Sequence, residues 1–271
     1  MDTMRLEVTG AVARLTLDRP RVLNAGNRRW VADLNEAVRR LEALPDVRVV
    51  VLTGAGRAFS TGVDLRELAA GEFGLADFVA WEDAMVAIER MDRLFIAAIN
   101  GHCLGGGLQL TLVCDYRLAS EDALLGLPAV KECLIPSCAL YRLPRLIGGA
   151  RAKELILLGE PISAREAERY GLVNRVVPTA DFASALDATV ERFLALPPTS
   201  ARQQAPHHAR LRHGLRRLPR RDAGALRGLP RLRRAPPGDG GSRDPFAGLT
   251  VRPLTPPGAP GTRLRRGELT E

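Results

Sequence analysis

The chain has 271 residues, 46% of them hydrophobic, and a formal net charge of +8. This length fits one large domain or a domain with an appendage, and the apolar content allows a sizeable buried core. No run of about 18 consecutive apolar residues occurs, so we expect no membrane-spanning helix. The N-terminal segment alternates like a strand and lacks the layout of a signal peptide.

The four cysteines, Cys103, Cys114, Cys133 and Cys138, show no CxxC spacing. Cys103 and Cys114 lie within apolar sequence. This pattern favours reduced thiols in a cytoplasmic protein over disulfides or a metal site. We therefore expect a cytoplasmic protein that binds no metal.

The positive charge belongs to the C-terminal part of the chain. Residues 201–271 hold 16 Arg and 5 acidic residues, a net charge of +11, whereas residues 1–200 carry −3. With 10 Pro and 10 Gly, residues 201–271 have the composition of low-complexity chain. We expect a core over 1–200 and a tail over 201–271.

Three interpretations of this tail are open. It is a basic arm for nucleic acid, a disordered extension, or a non-native C-terminus read from a frameshifted GC-rich gene. The nucleic-acid interpretation is disfavoured, because the tail offers only Phe246 for base stacking. The frameshift fits the Arg, Pro, Gly, Ala and Leu content best.

The first 200 residues alternate between strand and helix patterns. A short apolar stretch at residues 6–8 and the segment AVARLTLD predict two strands. The segment RRWVADLNEAVRRLEALPD has one apolar helical face, and Pro45 is expected to end the helix. That face consists of Trp30, Leu34, Val38 and Leu41.

Two later segments, VRVVVLTG and RLFIAAING, are continuous apolar runs typical of strands buried on both faces. The helix predicted between them has an apolar stripe that we interpret as ordinary core. The stripe consists of Phe78, Trp81, Met85 and Ile88. Further on, SAREAERYG predicts a helix with Ser163 as its N-cap and Gly171 as its stop. This alternation predicts an α/β layered fold.

Both apolar strands run into turns that contain glycine, in GAGRAFSTGVDL and GHCLGGGLQL. Glycine lets the backbone approach a ligand closely. If the two turns meet, they can supply two N–H donors to one oxygen, which stabilises an enolate or a tetrahedral oxyanion. A tight turn is the commoner use of a GGG run. Neither segment has the spacing of a dinucleotide-binding motif.

Five motifs resemble the crotonase superfamily (enoyl-CoA hydratase/isomerase family), in its order and over residues 5–200. They are LDRPRVLNA, GAGRAFSTGVDL, AAINGHCLGGGLQLTLVCDYRLAS, GLPAVKECLIP and YRLPRLIGGARAKELILLGEPISAREAERYGLVNRVVP. The resemblance implies an α/β spiral of ββα repeats with a C-terminal helical region that packs homotrimers, often paired into hexamers. In this chain those helices would follow residue 195, where the sequence turns irregular, which argues against that assembly.

The resemblance also implies an acyl-CoA thioester as substrate, with coenzyme A as part of it and no separate cofactor. The thioester carbonyl is expected between the backbone N–H groups of Val63 and Gly106. These donors follow Gly62 and Gly105. The helix that begins near Gly106 would direct its positive end at the same oxygen.

The coenzyme A portion is expected against two stretches, one that includes Leu23 and Ala25 and one that includes Asp64, Leu65 and Arg66. Arg66 matches a family position that often carries a cation near the nucleotide, although a solvated helix charge is an equal interpretation. Asp64 is expected to hold its loop at a helix N-terminus rather than to act on the substrate.

The chain departs from the family at the acid–base pair. Hydratases of this family use two glutamates, because hydration needs a base for water and an acid for carbon. Their positions hold Gln109 and Ala129 here. Gln109 can hold a water but has no useful pKa, and Ala129 has no polar group. The single-glutamate isomerase pattern uses the second position and is also missing.

Glu132 is the nearest remaining carboxylate. If its segment is helical, Glu132 shares a face with Ala129 and reaches the site; the alternative is a surface ion pair with Lys131 or an arginine. His102 is expected to be structural. Weaker candidates nearby are Ser137, Cys138 and Tyr141.

The sequence therefore predicts an enoyl-CoA hydratase/isomerase-family enzyme that acts through an enolate in an oxyanion hole without the usual glutamate pair. The alternative is a weak or inactive acyl-CoA-binding protein. The catalytic candidates are Val63, Gly106, Gln109 and Glu132.

Overall fold

The computed structural model describes residues 1–197. The predictions for the tail over 201–271, and for the last three residues of the expected core, lie outside the described residues. No helix within residues 1–197 is long and apolar enough to cross a membrane.

Within residues 1–197, ten strands build two sheets. The strands are β1 (Met4–Thr9), β2 (Val12–Leu17), β3 (Val49–Gly54), β4 (Ala58–Ser60), β5 (Leu94–Ile99), β6 (His102–Leu104), β7 (Tyr116–Ser120), β8 (Leu124–Gly126), β9 (Ile162–Ser163) and β10 (Arg175–Val177). The larger sheet has the order β1-β2-β3-β5-β7-β10, and the smaller has the order β4-β6-β8-β9. The pairs β1–β2 and β8–β9 are antiparallel, and the other neighbours are parallel.

Successive strand pairs divide between the two sheets. In β3–β4, β5–β6 and β7–β8, the first strand joins the larger sheet and the second joins the smaller one. A helix follows each pair before the chain returns to the larger sheet. The predicted α/β spiral of ββα repeats is confirmed.

Seven helices pack around these sheets within the described residues. They are α1 (Arg28–Glu42), α2 (Leu65–Ala70), α3 (Leu75–Arg90), α4 (Gly106–Thr111), α5 (Ala139–Leu158), α6 (Ala164–Arg169) and α7 (Phe182–Leu194). The four residues of the predicted α1 face are buried, and the helix ends before Pro45. The Ser163 hydroxyl caps α6 by accepting from the Glu166 N–H at 3.2 Å. Gly171 follows in a left-handed conformation, as predicted.

Strands β3 and β5 are buried on both faces, which explains their continuous apolar sequence. Val50 and Leu52 of β3 point into the main core. Val49 and Val51 point the other way, into a second cluster that includes Leu186 of α7. The central strands are therefore fixed from both sides, and the turns that follow them are held in place.

Candidate active site

A cavity of about 730 Å³ opens where the parallel strands of the smaller sheet end. Thr61 follows β4, Gly105 follows β6 and Pro128 comes just after β8, and all three line the cavity. Ligands in α/β proteins commonly bind outside the carboxyl ends of parallel strands. The volume lies within the usual range for small-molecule sites.

Eleven of the twelve predicted site residues line this cavity. They are Leu23, Ala25, Val63, Asp64, Leu65, Arg66, Gly105, Gly106, Gln109, Ala129 and Glu132. The exception is Gly62, which is buried behind the wall. The arrangement therefore brings together residues from four separate stretches of the chain.

The two glycine turns meet at this wall. A Cβ atom on Gly62 would lie 2.7 Å from the Gly106 nitrogen and 3.1 Å from the Leu104 carbonyl oxygen. Gly62 has φ +91° and Gly105 has φ +53°, in the left-handed region that favours glycine. A side chain at Gly62 would push the turns apart, so this glycine sets how closely they approach.

The N–H of Val63 points away from the segment that contains Gly26. Gly26 donates to the Gly62 carbonyl at 2.7 Å and accepts from the Asp64 N–H at 2.8 Å, in a parallel bridge opposite Val63. Because polar groups alternate along an extended chain, the Val63 N–H points to the opposite side. Within residues 1–197, no protein acceptor bonds this N–H.

The Gly106 N–H is also without a protein acceptor in the described residues. Gly106 is the first residue of α4, and the first N–H groups of a helix have no acceptor within the helix. Its nitrogen is the atom that a Cβ on Gly62 would touch. Two N–H groups without partners therefore lie on adjoining turns at one cavity wall. Helix α4 has only six residues, so the backbone N–H groups matter more than its dipole.

Gln109 lies one helical turn after Gly106. Its side chain is 9% exposed and lines the cavity. Its Oε1 atom is buried without a hydrogen-bond partner. Such an atom costs roughly 1–3 kcal/mol, which a ligand or a bound water can recover.

Ala129 and Glu132 share one face, as predicted. They lie in a 3₁₀ turn over Pro128–Glu132, and residues three apart eclipse one another in such a turn. Both side chains line the cavity. The alternative interpretation is a surface ion pair between Glu132 and Lys131 or an arginine, and within residues 1–197 Glu132 forms no ion pair.

Glu132 differs from the other acidic side chains of this cavity. Asp64 forms an ion pair with Arg19 at 3.1 Å. Glu67 accepts from the Asn27 amide at 2.6 Å and from the Arg28 N–H at 3.2 Å. Among the acidic residues that line the cavity, Glu132 alone has no hydrogen bond or ion pair within residues 1–197. It is therefore the carboxylate open to a ligand.

The loop that carries Leu23 and Ala25 is held by Asn24. The Asn24 amide donates to the carbonyls of Ala55 and Ala58 at 2.9 and 2.8 Å, and its Oδ1 accepts from the Arg19 N–H at 2.8 Å. These bonds stabilise Leu23 and Asn24 in left-handed conformations, with φ of 54° and 55°. The asparagine therefore positions a cavity wall without lining it.

Asp64 holds its loop as predicted. Its Oδ1 accepts from the Arg66 N–H at 3.2 Å at the start of α2. Its other oxygen pairs with Arg19. The Arg66 side chain itself is exposed at the cavity mouth. Further cations at this mouth are Arg21, Arg57 and Lys131.

The apolar stripe of α3 is only partly ordinary core, which corrects our interpretation. Phe78, Trp81 and Met85 line the cavity as well as packing on the core. A Cβ on Gly106 would lie 2.8 Å from Trp81 Cζ2, and one on Gly26 would lie 2.6 Å from Trp81 Cη2. Helical periodicity identifies an apolar face but cannot distinguish a core neighbour from a cavity.

The four weaker candidates differ in whether they line the cavity. Ser137 lines the cavity, whereas His102, Cys138 and Tyr141 do not. Burial, with added effect from the neighbouring Glu82 carboxylate, raises the pKa of Cys138 to about 12. A thiol with such a pKa is a poor nucleophile near neutral pH.

The arrangement of acidic, histidine and cysteine side chains bears on metal binding. Within residues 1–197, no group of three or more His, Cys, Asp or Glu side chains is arranged to hold a metal ion. The cysteines in this part of the chain are free thiols.

Comparison with known proteins identifies the family. Residues 7–219 match the family model described as enoyl-CoA hydratase/isomerase. A probable enoyl-CoA hydratase of Mycobacterium tuberculosis is 36% identical over 205 residues, covering 74% of this chain and 79% of that protein. An (E)-benzylidenesuccinyl-CoA hydratase of Thauera aromatica is 39% identical over 198 residues, covering 72% and 77%.

Solved structures agree with this assignment. A structure from Magnetospirillum magneticum, described as an enoyl-CoA hydratase/carnithine racemase, has a TM-score of 0.74 and 34% identity. It covers 78% of this chain and 82% of that one. An enoyl-CoA hydratase from Bacillus anthracis has a TM-score of 0.71 and 32% identity, covering 84% and 94%. This chain belongs to the enoyl-CoA hydratase/isomerase family and has the fold of the crotonase superfamily.

Proposed function

We propose that this protein binds an acyl-CoA thioester and stabilises its enolate between the N–H groups of Val63 and Gly106. The observation that carries the proposal is the meeting of two N–H groups without protein acceptors at one cavity wall. Each donor aimed at a developing oxyanion is worth about 3 kcal/mol in a site that excludes water. The apolar side chains of Phe78, Trp81 and Met85 supply such surroundings.

The coenzyme A portion is proposed to lie along the loops at the cavity mouth. Leu23, Ala25 and Leu65 supply the wall, and Arg66 supplies an exposed cation near the phosphates. Coenzyme A enters as part of the substrate, and the proposed reaction needs no separate cofactor. The curated relatives, named as hydratases of CoA thioesters, support this substrate class.

Glu132 is the proposed acid–base group. Its carboxylate takes a proton from the α-carbon, and the electron pair of that C–H bond moves to the thioester oxygen to form the enolate. Glu132 then returns the proton to carbon. Its lack of a protein partner within residues 1–197 leaves the carboxylate available to a substrate in the cavity.

Hydration is a poor fit to these residues. Adding water to a double bond requires one group to remove a proton from water and another to protonate carbon. Gln109 cannot exchange a proton near neutral pH, and Ala129 has no polar group. We therefore propose enolate chemistry with a single carboxylate. The alternative, a weak or inactive acyl-CoA-binding protein, is favoured by the same two replacements.

Binding and turnover of a panel of CoA thioesters distinguish the enzyme from the inactive acyl-CoA-binding protein. Binding is measured by calorimetry for crotonyl-CoA, butyryl-CoA and 3-hydroxybutyryl-CoA, with free coenzyme A as control. Hydration, isomerisation, α-proton exchange in heavy water and thioester hydrolysis are then followed on the same compounds. Turnover of any one supports the enzyme. Micromolar binding without turnover would leave only the binding protein, and absence of binding would refute both.

The Val63 N–H can be tested by removing it. Val63→Pro lacks the donor but loses no hydrogen bond within the described protein, whereas Val63→Ala keeps the donor and removes only the side chain. We expect turnover to fall about 100-fold or more in the proline variant and by a few-fold at most in the alanine variant. Thermal unfolding of both variants checks that they fold. Equal activity in the two would contradict the proposed role.

The proposed setting is the cytoplasm, supported by the buried free thiols of Cys103 and Cys114. The family's assembly into homotrimers or hexamers stays a proposal. It is supported by exposed leucines on α5, since Leu140, Leu157 and Leu158 are 50%, 66% and 56% exposed. Light scattering of the full chain tests it, and a monomer would contradict it.

A further inference from the structure

Two residues other than glycine hold left-handed backbone conformations at one edge of the cavity. Cys133 has φ of 53° and Ser137 has φ of 42°. A residue with a Cβ is strained in this region, because the Cβ comes too close to a carbonyl oxygen. Residues strained in this way cluster at ligand sites and in segments that move. These two bracket residues 134–136, which form a short strap.

The left-handed residues elsewhere in the cavity wall are held from a distance, whereas these two are not. The Asn24 amide fixes Leu23 and Asn24 by donating to two carbonyl groups on a distant turn. Within residues 1–197, by contrast, no hydrogen bond joins residues 133–137 to any residue outside 129–140. The hydrogen bonds of the strap are therefore confined to its own surroundings in the chain.

These local bonds are few. The Leu134 N–H donates to the Ala129 carbonyl at 2.8 Å, and the Ser137 N–H donates to the Ile135 carbonyl, two residues back, at 2.8 Å. Segments with few long-range hydrogen bonds rearrange at a low cost in free energy. The strap can therefore change conformation without disturbing the sheets.

The chain is fixed on both sides of the strap. On one side, the 3₁₀ turn over Pro128–Glu132 follows β8 of the smaller sheet. On the other side, α5 begins at the buried Ala139, and Arg142 of α5 pairs with Glu89 of α3 at 2.8 Å. Rotation at the two strained residues can therefore move the strap between two fixed anchors.

The strap forms part of the cavity wall and carries an exposed apolar side chain. Leu134, Ile135 and Pro136 all line the cavity. Ile135 is nevertheless 66% exposed, so a large apolar surface lies in water at the rim. Burial of such a side chain is favourable. Glu132, the proposed acid–base group, comes just before the strained Cys133, so the strap begins next to that residue.

We propose that the strap closes over a bound acyl-CoA thioester, with Cys133 and Ser137 as hinges. This inference rests on the proposed function, which supplies the ligand. In the closed form the hinges return to negative φ, and Ile135 packs on the ligand. Strain release and burial of Ile135 drive the movement. Closure excludes water from the cavity around Glu132, which protects a bound enolate from protonation by solvent.

The test replaces each hinge by glycine and by alanine. Glycine adopts left-handed conformations without strain, so it stabilises the open form and weakens the drive to close. Alanine keeps the strain and removes the same polar group, so it is the matched control. The comparison is cleanest at Cys133, whose side chain does not line the cavity. Calorimetry on the full chain measures Kd for butyryl-CoA in Cys133→Gly, Cys133→Ala, Ser137→Gly and Ser137→Ala.

We expect each glycine variant to bind butyryl-CoA about fivefold more weakly than the alanine variant at the same position, the factor that left-handed strain in one residue is worth. Amide hydrogen exchange at residues 134–137 is the second measurement. Butyryl-CoA should slow this exchange about tenfold or more in wild type and in the alanine variants, and less in the glycine variants. Thermal unfolding should show the glycine variants at least as stable as the alanine variants, so weaker binding does not reflect misfolding.

Two results would overturn the proposal. One is equal Kd values for the glycine and alanine variants at both hinges, and the other is exchange at residues 134–137 that butyryl-CoA leaves unchanged. Both are read without turnover. If neither butyryl-CoA nor crotonyl-CoA binds wild type, the proposed function fails and the strap has no ligand to close on. A failure of the strap alone is therefore distinguishable from a failure of the proposed function.

Discussion

At the scale of single residues, the cavity wall presents the backbone N–H groups of Val63 and Gly106, and no carboxylate stands at the two positions that the resemblance assigns to the glutamates of the hydratases. Gln109 and Ala129 both line the cavity, at the positions that the resemblance assigns to the glutamates. A backbone N–H is supplied by any residue, so it tolerates substitution. A carboxylate belongs to one side chain, so a single substitution removes it. This difference is the physical reason for proposing that thioester binding is kept without the two glutamates.

Restoring both carboxylates tests whether the rest of the site is intact. In the double variant Gln109→Glu with Ala129→Glu, we expect hydration of crotonyl-CoA to rise at least about 100-fold above wild type, because general acid–base catalysis contributes that much or more. The rate is followed by loss of the enoyl-thioester absorbance. The two single variants are the controls and should gain far less. A double variant no faster than wild type would show that the cavity does not align these positions with the substrate.

At the scale of helices and strands, a cluster of charged side chains joins α3, which lines the cavity, to α5. Arg142 of α5 donates to both oxygens of Glu89 at 2.8 and 3.0 Å, and its Nη2 lies 2.6 Å from Glu82 Oε1. Its side chain is 5% exposed. The two carboxylates raise the pKa of Arg142 further above its ordinary value, against the opposing effect of burial.

Removing the arginine from this cluster should lower the free energy of unfolding. Arg142→Met leaves two buried carboxylates without their cation, so we expect the free energy of unfolding to fall by about 3–5 kcal/mol in urea titrations. Arg151→Met is the matched control, since Arg151 pairs with Glu154 on the exposed side of α5 and should change stability by about 1 kcal/mol or less. Adding Glu82→Gln to Arg142→Met should restore part of the lost free energy of unfolding, because it removes one of the two uncompensated carboxylates. Equal effects of the two arginine variants would contradict this account.

The carboxylate of Asp33, on α1, accepts hydrogen bonds from the two residues that precede β1. Asp33 accepts from the Asp2 and Thr3 N–H groups at 2.7 and 2.9 Å and from the Thr3 hydroxyl at 2.9 Å. Burial by itself raises the pKa of Asp33, but these bonds and the nearby Arg29 outweigh it and hold the pKa below its ordinary value. The carboxylate therefore stabilises the folded state when ionised.

This contribution should depend on pH with a definite sign. Because the folded-state pKa is lowered, the stabilisation is full above about pH 4, the unfolded value, and is lost as the pH falls through the folded pKa. Asp33→Asn should lose about 1–3 kcal/mol of unfolding free energy at pH 7 and little below about pH 3. Asp46→Asn, at an exposed position, is the control. A deficit of equal size at both pH values would contradict the assignment.

At the scale of the whole molecule, the alternation of strands between two sheets creates the site. The turn after β4 and the turn after β6 come from successive ββα repeats, and parallel pairing of these two strands sets them side by side. Packing of both faces of the larger sheet holds the repeats in register. The cavity is therefore a product of the spiral rather than of any one loop.

The tail can be separated from the site experimentally. Every cavity-lining residue in the described part of the chain lies at or before Pro161. We therefore expect deletion of residues 207–271 to leave the Kd for acyl-CoA within about twofold of the full chain, measured by calorimetry. A large loss of affinity would mean that the tail contributes to the site or to assembly. Salt-dependent DNA retention that survives this deletion would rule out the tail as a nucleic-acid arm.

Much of the site could be located from the sequence because its landmarks are local. Gly62, Gly105 and Gly106 stand in short motifs that resemble those of the family, and Asp64 follows at a helix start. The assignment of Trp81 to ordinary core is only partly correct, since its helical spacing is the same whether it faces core or cavity. The sequence leaves two interpretations of Glu132 open, because an ion pair depends on residues that are distant in sequence.

The sequence alone determined the family, the α/β spiral and the glycine turns, because each is a pattern within a few consecutive residues. Only the tertiary structure decided that the turns of Gly62 and Gly106 adjoin, with the N–H groups of Val63 and Gly106 unpaired within residues 1–197. It also decided that α3 forms a cavity wall, and that Oε1 of Gln109 is buried without a partner among the described residues. These properties depend on which atoms approach across the spiral, and close approach between distant segments is not encoded in the spacing of either one.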